Sequence, residues 1–500
     1  MFSNIDLEKL LSLFKYIPDD PLLFSTAEFL FFFFAFLVFY AAFSKSRNFR
    51  VYLIIVFSLF FYYKAAGLYF LLLVFSSVFN FYAGKSIQSS GESYLKKKML
   101  LIASVAVNIG VLFYFKYTNF FIDIVNHIKS SAITPLDIFL PVGISFFTFK
   151  ALSYVIDVYL EKMEAEKSFR DFLLYVSFFP NILAGPIDRA PEFLPQVKQD
   201  LQIPEIYIGR GIFLIISGLF KKVVIADYIG VNFVDRIFEM PTRYTGVENL
   251  LAVYGYALKV YCDFSGYSDI AIGIALLMGF KLMENFNSPY QASSIAEFWR
   301  RWHISLSSWF LDYLFRPLQM KFRSLRTLGN ASALIVTFLI CGLWHGASYT
   351  FVLWGAVHGL MMAIALFTKK PRQKFYEKLG ISNSKVLHAF QVFITFHLIA
   401  VTWVLFGAAN FSAAMDMFSQ IFSYFKGGVF PQFVQAYPVV LALIITGYIL
   451  HFVPKSVELK VSELITRTPL PAKAFILAVA IWVVAQAKSA DLQPFIYFQF

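Results

Sequence analysis

One long uncharged stretch limits what this chain can fold into: residues 331–368 contain no Asp, Glu, Lys or Arg. A membrane-crossing helix needs about 20 apolar residues, so this stretch is longer than one passage through a bilayer requires. Shorter apolar runs recur along most of the chain. We therefore predict a helical protein that crosses a membrane several times, because helices satisfy their own backbone hydrogen bonds in lipid.

The composition and the placement of charge agree with a membrane protein. Hydrophobic residues make up 59% of the chain and charged residues 15%, which excludes a soluble globular protein of this length. The net charge of +12 comes from short basic clusters beside apolar runs. This pattern orients helices across a bilayer and does not indicate nucleic-acid binding. The clusters lie at residues 45–50, 96–98, 316–326 and 369–374.

The order of apolar and polar segments predicts one all-α polytopic membrane domain, with about 10–12 transmembrane or re-entrant helices. Residues 1–139 hold the N-terminal helices, beginning with a retained apolar run. Residues 140–410 form the core, where Pro and Gly interrupt the apolar runs 140–160 and 172–187. We expect re-entrant elements there. Residues 411–500 hold the C-terminal helices and a tail that charge alternation places on the external side.

A capping box predicts where the most unusual helix begins. Ser294 and Glu297 have the required spacing, so a helix should start near Ile295 and stop before Pro317. Arg300 and His303 fall on a polar flank of this helix. The opposite face is aromatic and apolar, which suits a membrane interface or a cavity wall. That face holds Phe298, Trp302, Leu306, Trp309 and Tyr313.

His345 is the first candidate for a functional residue. It lies in the uncharged stretch, and the small residues Gly342 and 346–348 can break the helix there, so His345 should sit at a turn deep in the membrane. It is either a structural histidine with its ring bonded to a carbonyl, or a neutral general base acting on a hydroxyl. We expect His358 to be a core histidine. The other histidines, His127, His388, His397 and His451, lack a polar constellation.

The basic residues near His303 allow two interpretations as well. Arg300, Arg301 and His303 are either an interfacial anchor, or a site in which the arginines hold the phosphates of a donor molecule. Cys262 and Cys341 have no metal-site spacing, so the sequence predicts no metal.

Several motifs together resemble the membrane-bound O-acyltransferase family. The run 298–309 reads FWRRWHISLSSW and the run 342–346 reads GLWHG. Supporting stretches are 178–189, 261–269 and 285–290. The similarity is greatest to the bacterial branch with alginate and peptidoglycan O-acetyltransferases and the D-alanyl transfer protein of teichoic acids. The resemblance implies that His345 is catalytic and that His303 is a second functional histidine.

The resemblance also implies a reaction. An acetyl group from cytoplasmic acetyl-CoA passes through a central tunnel. On the second interpretation of the arginines, Arg300 and Arg301 hold the phosphates of this donor. The acetyl group is then used outside to O-acetylate a cell-envelope polysaccharide such as alginate or peptidoglycan. The expected location is the bacterial inner membrane, among its lipids, with a periplasmic C-terminus. A separate periplasmic acyltransferase is the expected partner, since no external domain is predicted to hold a glycan.

The C-terminal residues 495–500, FIYFQF, have two interpretations. An aromatic anchor at the membrane interface is one. The other comes from similar terminal motifs of bacterial acyl-export systems, in which the tyrosine, here Tyr497, is a transient acetyl carrier. A phenol needs a base to remove its proton before it can act as a nucleophile, and His345 is the candidate base.

Alternative functions remain open at the level of the sequence. Within the family these are D-alanyl transfer and lipid or protein acyl transfer. Outside it, a transporter or flippase would show similar broken helices, although we detect no inverted repeat. The segment after the tryptophan–histidine run also departs from the family pattern. It lacks a Gly pair and the Arg before Asp312, so the resemblance does not predict the conformation of the adjoining loop.

Overall fold

A computed structural model describes residues 12–18, 21–43, 45–129 and 132–487, together with Phe495. The described residues are mostly helical, and they include no β-strand. Within this part of the chain, six helical segments are long and apolar enough to cross a membrane, or seven if a bent pair counts as one span. The prediction of an all-α polytopic membrane protein is confirmed.

The candidate spans differ in how much of their surface is buried in the protein. Gly246–Leu277 is the most enclosed, with 83% of its apolar window buried, and Tyr94–Lys129 is the least enclosed, with 17%. Gly427–Ala436 and Pro438–Phe452 form the bent pair, with an angle of 98° between them. The remaining candidate spans are Arg47–Ser89, Arg323–His345, Tyr349–Lys378 and Lys385–Gly407.

The chain divides into two compact units. The first comprises residues 1–215 and 270–283. Its helices α3, α4 and α5 pack against one another. In chain order the helices that begin in this unit are α1 Ala27–Ala42, α2 Arg47–Ala66, α3 Phe70–Ser89, α4 Tyr94–Lys129, α5 Ile144–Tyr159, α6 Phe169–Ser177, α7 Phe179–Ile182, α8 Ala190–Lys198 and α9 Glu205–Leu219.

Local sequence signals explain the helix ends of the first unit. The Thr26 hydroxyl accepts a hydrogen bond from the Phe29 N–H, and the Ser46 hydroxyl accepts one from Phe49, so both residues cap the following helix. Gly143 has a φ of +77° directly before α5. Because Gly tolerates this left-handed conformation, the chain can turn at Gly143, directly before the first residue of α5.

The predicted interruptions of the apolar runs are correct in one case and wrong in the other. Residues 172–187 fall in two short helices, α6 and α7, and an irregular segment. In contrast, most of the run 140–160 forms one unbroken helix, α5. Pro141 and Gly143 both precede that helix, where they do not interrupt its hydrogen bonds.

The second unit comprises residues 216–269 and 284–500. Three of its segments have π-helical geometry: Phe220–Asp227, Gly230–Val234 and Leu311–Phe315. The α-helices that begin in this unit are α10 Asp235–Glu239, α11 Gly246–Leu277, α12 Ile295–Arg301, α13 Ile304–Phe310, α14 Arg316–Lys321, α15 Arg326–His345, α16 Tyr349–Lys378, α17 Lys385–Gly407, α18 Phe411–Ser423, α19 Phe430–Ala436, α20 Pro438–Phe452, α21 Lys455–Arg467 and α22 Leu470–Ala487.

Helices α15 and α16 form the most extensive helix pair in this unit, and glycines bring their backbones together. A Cβ atom on Gly342 would collide with the Phe351 carbonyl oxygen, and one on Gly355 would collide with the Phe338 carbonyl oxygen. Small residues at such contacts are typical of helices packed in membranes. The two helices are separated at Gly346, and the Ser348 hydroxyl caps α16. The predicted break after His345 is therefore confirmed.

The single helix predicted from residue 295 to Pro317 is wrong in its middle. The Ser294 cap is present, since its hydroxyl accepts a hydrogen bond from the Glu297 N–H. However, α12 ends at Arg301, and His303 adopts a left-handed conformation with φ +42° before α13 begins. The two halves therefore do not share one continuous face. Pro317 does not end the helical path, because it lies in the first turn of α14.

Candidate active site

His303 occupies the break between α12 and α13 and is completely buried. Its Nδ1 lies 3.0 Å from the Oδ1 atom of Asn285. The Phe264 ring packs edge-on against the imidazole, with 4.5 Å between ring centroids. A left-handed conformation is uncommon for a residue other than glycine and persists only where the surroundings hold it. Such residues are concentrated at functional sites.

His345 is the last residue of α15 and is also buried. Three aromatic rings surround its imidazole, with centroid distances of 5.0 Å to Trp344, 5.1 Å to Trp354 and 5.2 Å to Phe406. These rings come from α15, α16 and α17. The structure thus places His345 at a helix end inside an aromatic enclosure, as expected for a histidine at a turn in an apolar region.

Trp344 links the two histidines. Its ring centroid lies 6.2 Å from that of His303 and 5.0 Å from that of His345, so the two imidazoles are at most about 11 Å apart. The two motifs that the sequence analysis selected therefore meet in one buried site, although they are on separate helices.

A cavity of about 530 Å³ is lined by Ile304, which follows His303, and by residues of α15 that precede His345, although neither histidine lines it. Leu334, Thr337, Phe338 and Cys341 of α15 line it. Their spacing puts them on one stripe of the helix, and His345 continues that stripe one turn beyond Cys341. The lining is mainly apolar, and Arg300 contributes a cationic group.

The two neighbouring arginines line different cavities. Arg300 lines the 530 Å³ cavity, whereas Arg301 lines a second cavity of about 750 Å³ that is bordered by α11, α17 and α20. Arg301 also forms an ion pair with Glu297, with 2.7 Å between Nη2 and Oε1. The structure therefore does not bring Arg300 and Arg301 together as a joint phosphate site.

Burial determines the protonation of His303, which lies outside the candidate membrane spans. Removal from water disfavours the charged imidazolium and lowers the pKa of His303 to about 3. His303 is therefore neutral at physiological pH, the state in which an imidazole can accept a proton.

His358 and His451 have structural partners. His358 is buried, accepts a hydrogen bond from Trp299 Nε1 at 3.3 Å, and lies 3.0 Å from the Thr402 hydroxyl. This agrees with the expected core histidine. The Nε2 atom of His451 accepts a hydrogen bond from the Tyr290 N–H at 3.1 Å. That bond connects the stretch 285–290 to α20.

The sequence analysis did not predict a partly buried ion-pair cluster beside α11. Lys222 lies 2.6 Å from Asp263 and 2.7 Å from Asp227, and Lys221 lies 2.7 Å from Asp269. The pairs with Asp263 and Asp269 join the π-helical segment Phe220–Asp227 to α11, whereas the Lys222–Asp227 pair lies within that segment. The signal was present in the sequence, because charged residues inside apolar runs need partners of opposite charge.

The supporting stretch 178–189 forms a separate polar network within the first unit. The Lys150 ammonium donates to Asn181 Oδ1 at 2.9 Å, and the Asn181 amide donates to Asp188 Oδ2 at 2.6 Å. Asp188 also accepts a hydrogen bond from the Met283 N–H. All three side chains are buried. Their bonds stabilise the irregular segment after α7.

Of the C-terminal residues 495–500, the structure describes Phe495. Tyr497 lies outside the described residues, but Phe495 is described and is buried. Its ring packs against Tyr267 at 4.9 Å and Phe264 at 5.3 Å between centroids. Since Phe264 also contacts His303, the tail has one anchor beside the histidine site.

The described residues contain no group of three or more His, Cys, Asp or Glu side chains that could hold a metal ion.

Comparison with known proteins gives consistent matches. The sequence profile of MBOAT, the membrane-bound O-acyltransferase family, matches residues 166–409. A probable alginate O-acetylase of Pseudomonas aeruginosa is 39% identical over 353 residues, which are 70% of this chain and 65% of that relative. The chain thus spans slightly less than two thirds of that relative's length.

Other relatives carry different names. A peptidoglycan O-acetyltransferase of Helicobacter pylori is 37% identical over 405 residues, 75% of this chain and 74% of the relative. A teichoic acid D-alanyltransferase of Bacillus subtilis is 30% identical over 277 residues, 54% of this chain and 69% of the relative. With its buried histidine pair and its apolar helices, this chain belongs to the membrane-bound O-acyltransferase family.

Proposed function

We propose that this protein is an O-acetyltransferase of the bacterial inner membrane, which moves acetyl groups from cytoplasmic acetyl-CoA to a cell-envelope polysaccharide. One observation carries the proposal: His303 and His345 are both buried, and both imidazole rings lie beside the ring of Trp344. The chain that holds them belongs to an O-acyltransferase family. The relatives named for alginate and peptidoglycan O-acetylation support acetyl as the acyl group. The relative named for D-alanyl transfer is less similar.

The proposed chemistry uses a neutral imidazole as the proton acceptor. A hydroxyl oxygen attacks the carbonyl carbon of the thioester while His345 takes the hydroxyl proton. The C–O bond forms, the C–S bond breaks, and the imidazolium returns the proton to the CoA thiolate. The aromatic enclosure of His345 excludes water from the imidazole, which protects the thioester from hydrolysis. No metal ion takes part in this scheme.

The 530 Å³ cavity is the proposed path for the acyl donor to the histidines. Its apolar wall suits the pantetheine arm, and Arg300 at its border suits a phosphate, because charge-assisted hydrogen bonds to guanidinium are strong. Arg301 has a smaller part in donor binding than Arg300 in this proposal, since Arg301 lines the other cavity and pairs with Glu297.

We further propose that the C-terminus is periplasmic and that Tyr497 carries the acetyl group to a separate periplasmic acyltransferase. The buried Phe495 ring beside Phe264 supports this, because Phe264 packs against His303. Tyr497 follows Phe495 by two residues in the sequence, and two residues of extended chain reach at most about 7 Å.

The acetate content of the envelope polysaccharides tests the proposed function. A strain without the gene should lose O-acetyl groups from one polymer, and the wild-type gene should restore them. Purified protein in proteoliposomes should release more than about one equivalent of free CoA per protein from acetyl-CoA only when an acceptor is present. Unchanged acetate in every envelope polymer of the deletion strain would contradict the proposal, and so would preferential use of D-alanine.

A further inference from the structure

The side chain of Asn285 is buried and has a fixed orientation. Its Oδ1 atom accepts hydrogen bonds from the Ser305 N–H at 3.3 Å and from the Ser305 hydroxyl at 2.9 Å. Its Nδ2 atom donates to the Ser268 hydroxyl at 3.0 Å. A backbone N–H can only donate, so the atom that faces Ser305 must be the amide oxygen. The same oxygen faces His303.

This orientation determines the tautomer of His303. The Nδ1 atom lies 3.0 Å from Asn285 Oδ1, and a carbonyl oxygen can only accept, so Nδ1 must carry the proton. In a neutral imidazole the other nitrogen then has the lone pair, and the pKa of His303 is lowered by burial, which favours the neutral form. The Nε2 atom is therefore the accepting side of the ring.

Backbone hydrogen bonds hold the two segments together as well. The Ile304 N–H donates to the Asn285 carbonyl at 2.9 Å, and the Asn287 N–H donates to the Arg301 carbonyl at 2.9 Å. These bonds lie on either side of His303 along the chain. Residues 285–287 therefore stabilise the left-handed conformation of His303 and orient its ring.

We propose that Asn285 is a positioning residue that holds His303 in the Nδ1-protonated tautomer, so that Nε2 accepts a hydrogen bond from a hydroxyl or amide group of a substrate. This tautomer excludes His303 as a donor to the oxyanion of the tetrahedral intermediate. The inference rests on the proposed acyl transfer for its catalytic meaning, but the tautomer itself can be measured without any activity.

Nitrogen NMR of the full-length protein in lipid bilayers, labelled with ¹⁵N-histidine, tests the tautomer directly. The His303 signals are identified by their loss in His303→Gln. The expected result in the wild type is a protonated Nδ1 and an unprotonated Nε2. A protonated Nε2 in the folded wild type would overturn the proposal.

Variants of Asn285 separate positioning from general stabilisation. Asn285→Asp keeps an oxygen facing Nδ1 and should keep the tautomer, whereas Asn285→Leu removes the acceptor and should give a mixture of tautomers. In Asn285→Leu, kcat should fall by roughly 100- to 10,000-fold, the range associated with loss of a correctly held catalytic histidine. Its KM for acetyl-CoA should change little. An unchanged tautomer in a folded Asn285→Leu protein would contradict the role.

Two further results distinguish this inference from the proposed function. Ser305→Ala removes one donor to Asn285 but not the acceptor for His303, so it should preserve the tautomer. If the tautomer is as expected but no acetyl group is transferred from acetyl-CoA, only the proposed function fails. If acetyl transfer occurs and Nε2 carries the proton, only the role of Asn285 fails.

Discussion

At the scale of single residues, the candidate site contains two buried histidines that are held in different ways. His303 is held by a specific hydrogen bond to Asn285, which selects a tautomer. His345 is enclosed by the rings of Trp344, Trp354 and Phe406, which restrict water and the orientation of the imidazole. The hydrogen bond to Asn285 defines which nitrogen of His303 can accept a hydrogen bond. The aromatic rings give His345 a surrounding of low dielectric constant. Each histidine can therefore be tested by its own variant.

His345→Ala should reduce acetyl transfer by about 100- to 10,000-fold, because the variant lacks the proposed general base. Expression and membrane insertion should remain normal, since the helix end keeps its backbone. The measurement is polysaccharide acetate in a complemented deletion strain. His127→Ala is the matched control, because His127 is an exposed histidine of α4. Acetate levels near those of the wild type in His345→Ala would rule out the assignment.

Arg300→Ala should raise the KM for acetyl-CoA by about 10- to 100-fold, with a smaller effect on kcat. A charge-assisted hydrogen bond to a phosphate contributes about 1.5–3 kcal/mol, which corresponds to this change in affinity. Initial rates at varied acetyl-CoA concentration provide the measurement. Arg372→Ala, an exposed arginine of α16, is the control. If Arg300→Ala leaves the KM unchanged, Arg300 does not bind the donor phosphates.

The sequence predicted the two histidines of the site but not the way in which they are held. His345 was recognisable because an ionisable residue in an uncharged stretch is rare. Asn285 lies in the stretch 285–290, which supports the family resemblance but predicts no role for this side chain. Its contact with His303 joins residues that are far apart in sequence, so periodicity and spacing could not reveal it.

At the scale of helices, the α15–α16 pair positions His345. Gly342 and Gly355 allow the two backbones to approach closely, and Trp354, next to Gly355, contacts the His345 ring. The end of α15 and the start of α16 are therefore held in a defined geometry around the imidazole. A larger residue at either glycine must move one helix away from the other.

Gly355→Ala should lower both stability and activity. The added Cβ would collide with the Phe338 carbonyl oxygen, and overpacking of this kind costs about 1–3 kcal/mol. The displacement of Trp354 should reduce acetyl transfer by up to about 100-fold. Thermal unfolding in detergent and initial rates are the measurements. Gly428→Ala is the control, because a Cβ at Gly428 meets no atom within 4 Å. Equal melting temperatures for both variants would contradict the packing argument.

The helix breaks show which elements local sequence can predict. The break after His345 was predicted because Gly346 and Ser348 are a helix terminator and a cap. The sequence did not predict the break at His303, because Trp302 and His303 carry no local signal for a turn. Hydrogen bonds from residues 285–287 stabilise the left-handed conformation, and such tertiary contacts override the local pattern.

At the scale of the whole molecule, the apolar spans and the family membership define a membrane acyltransferase fold. The side of the membrane that each helix end faces depends on the distribution of charged residues. The basic clusters predict which ends are cytoplasmic. In the proposed reaction the donor acetyl-CoA is cytoplasmic and the polysaccharide is external, so the acyl group would have to change sides. A carrier that is anchored near the histidines and exposed to the periplasm would complete this transfer.

Tyr497→Phe tests the carrier, because it removes the hydroxyl and keeps the aromatic ring. An interface anchor should tolerate the change, whereas a carrier should lose acetylation of the polysaccharide almost completely, since no acyl ester can form on Phe. The measurements are polymer acetate and mass spectrometry of the C-terminal peptide, which should show an added acetyl group in the wild type alone. Tyr424→Phe, a change on a half-exposed tyrosine at the end of α18, is the control. Full polymer acetylation in Tyr497→Phe, or a C-terminus labelled from the cytoplasm in a cysteine-accessibility experiment, would exclude the carrier.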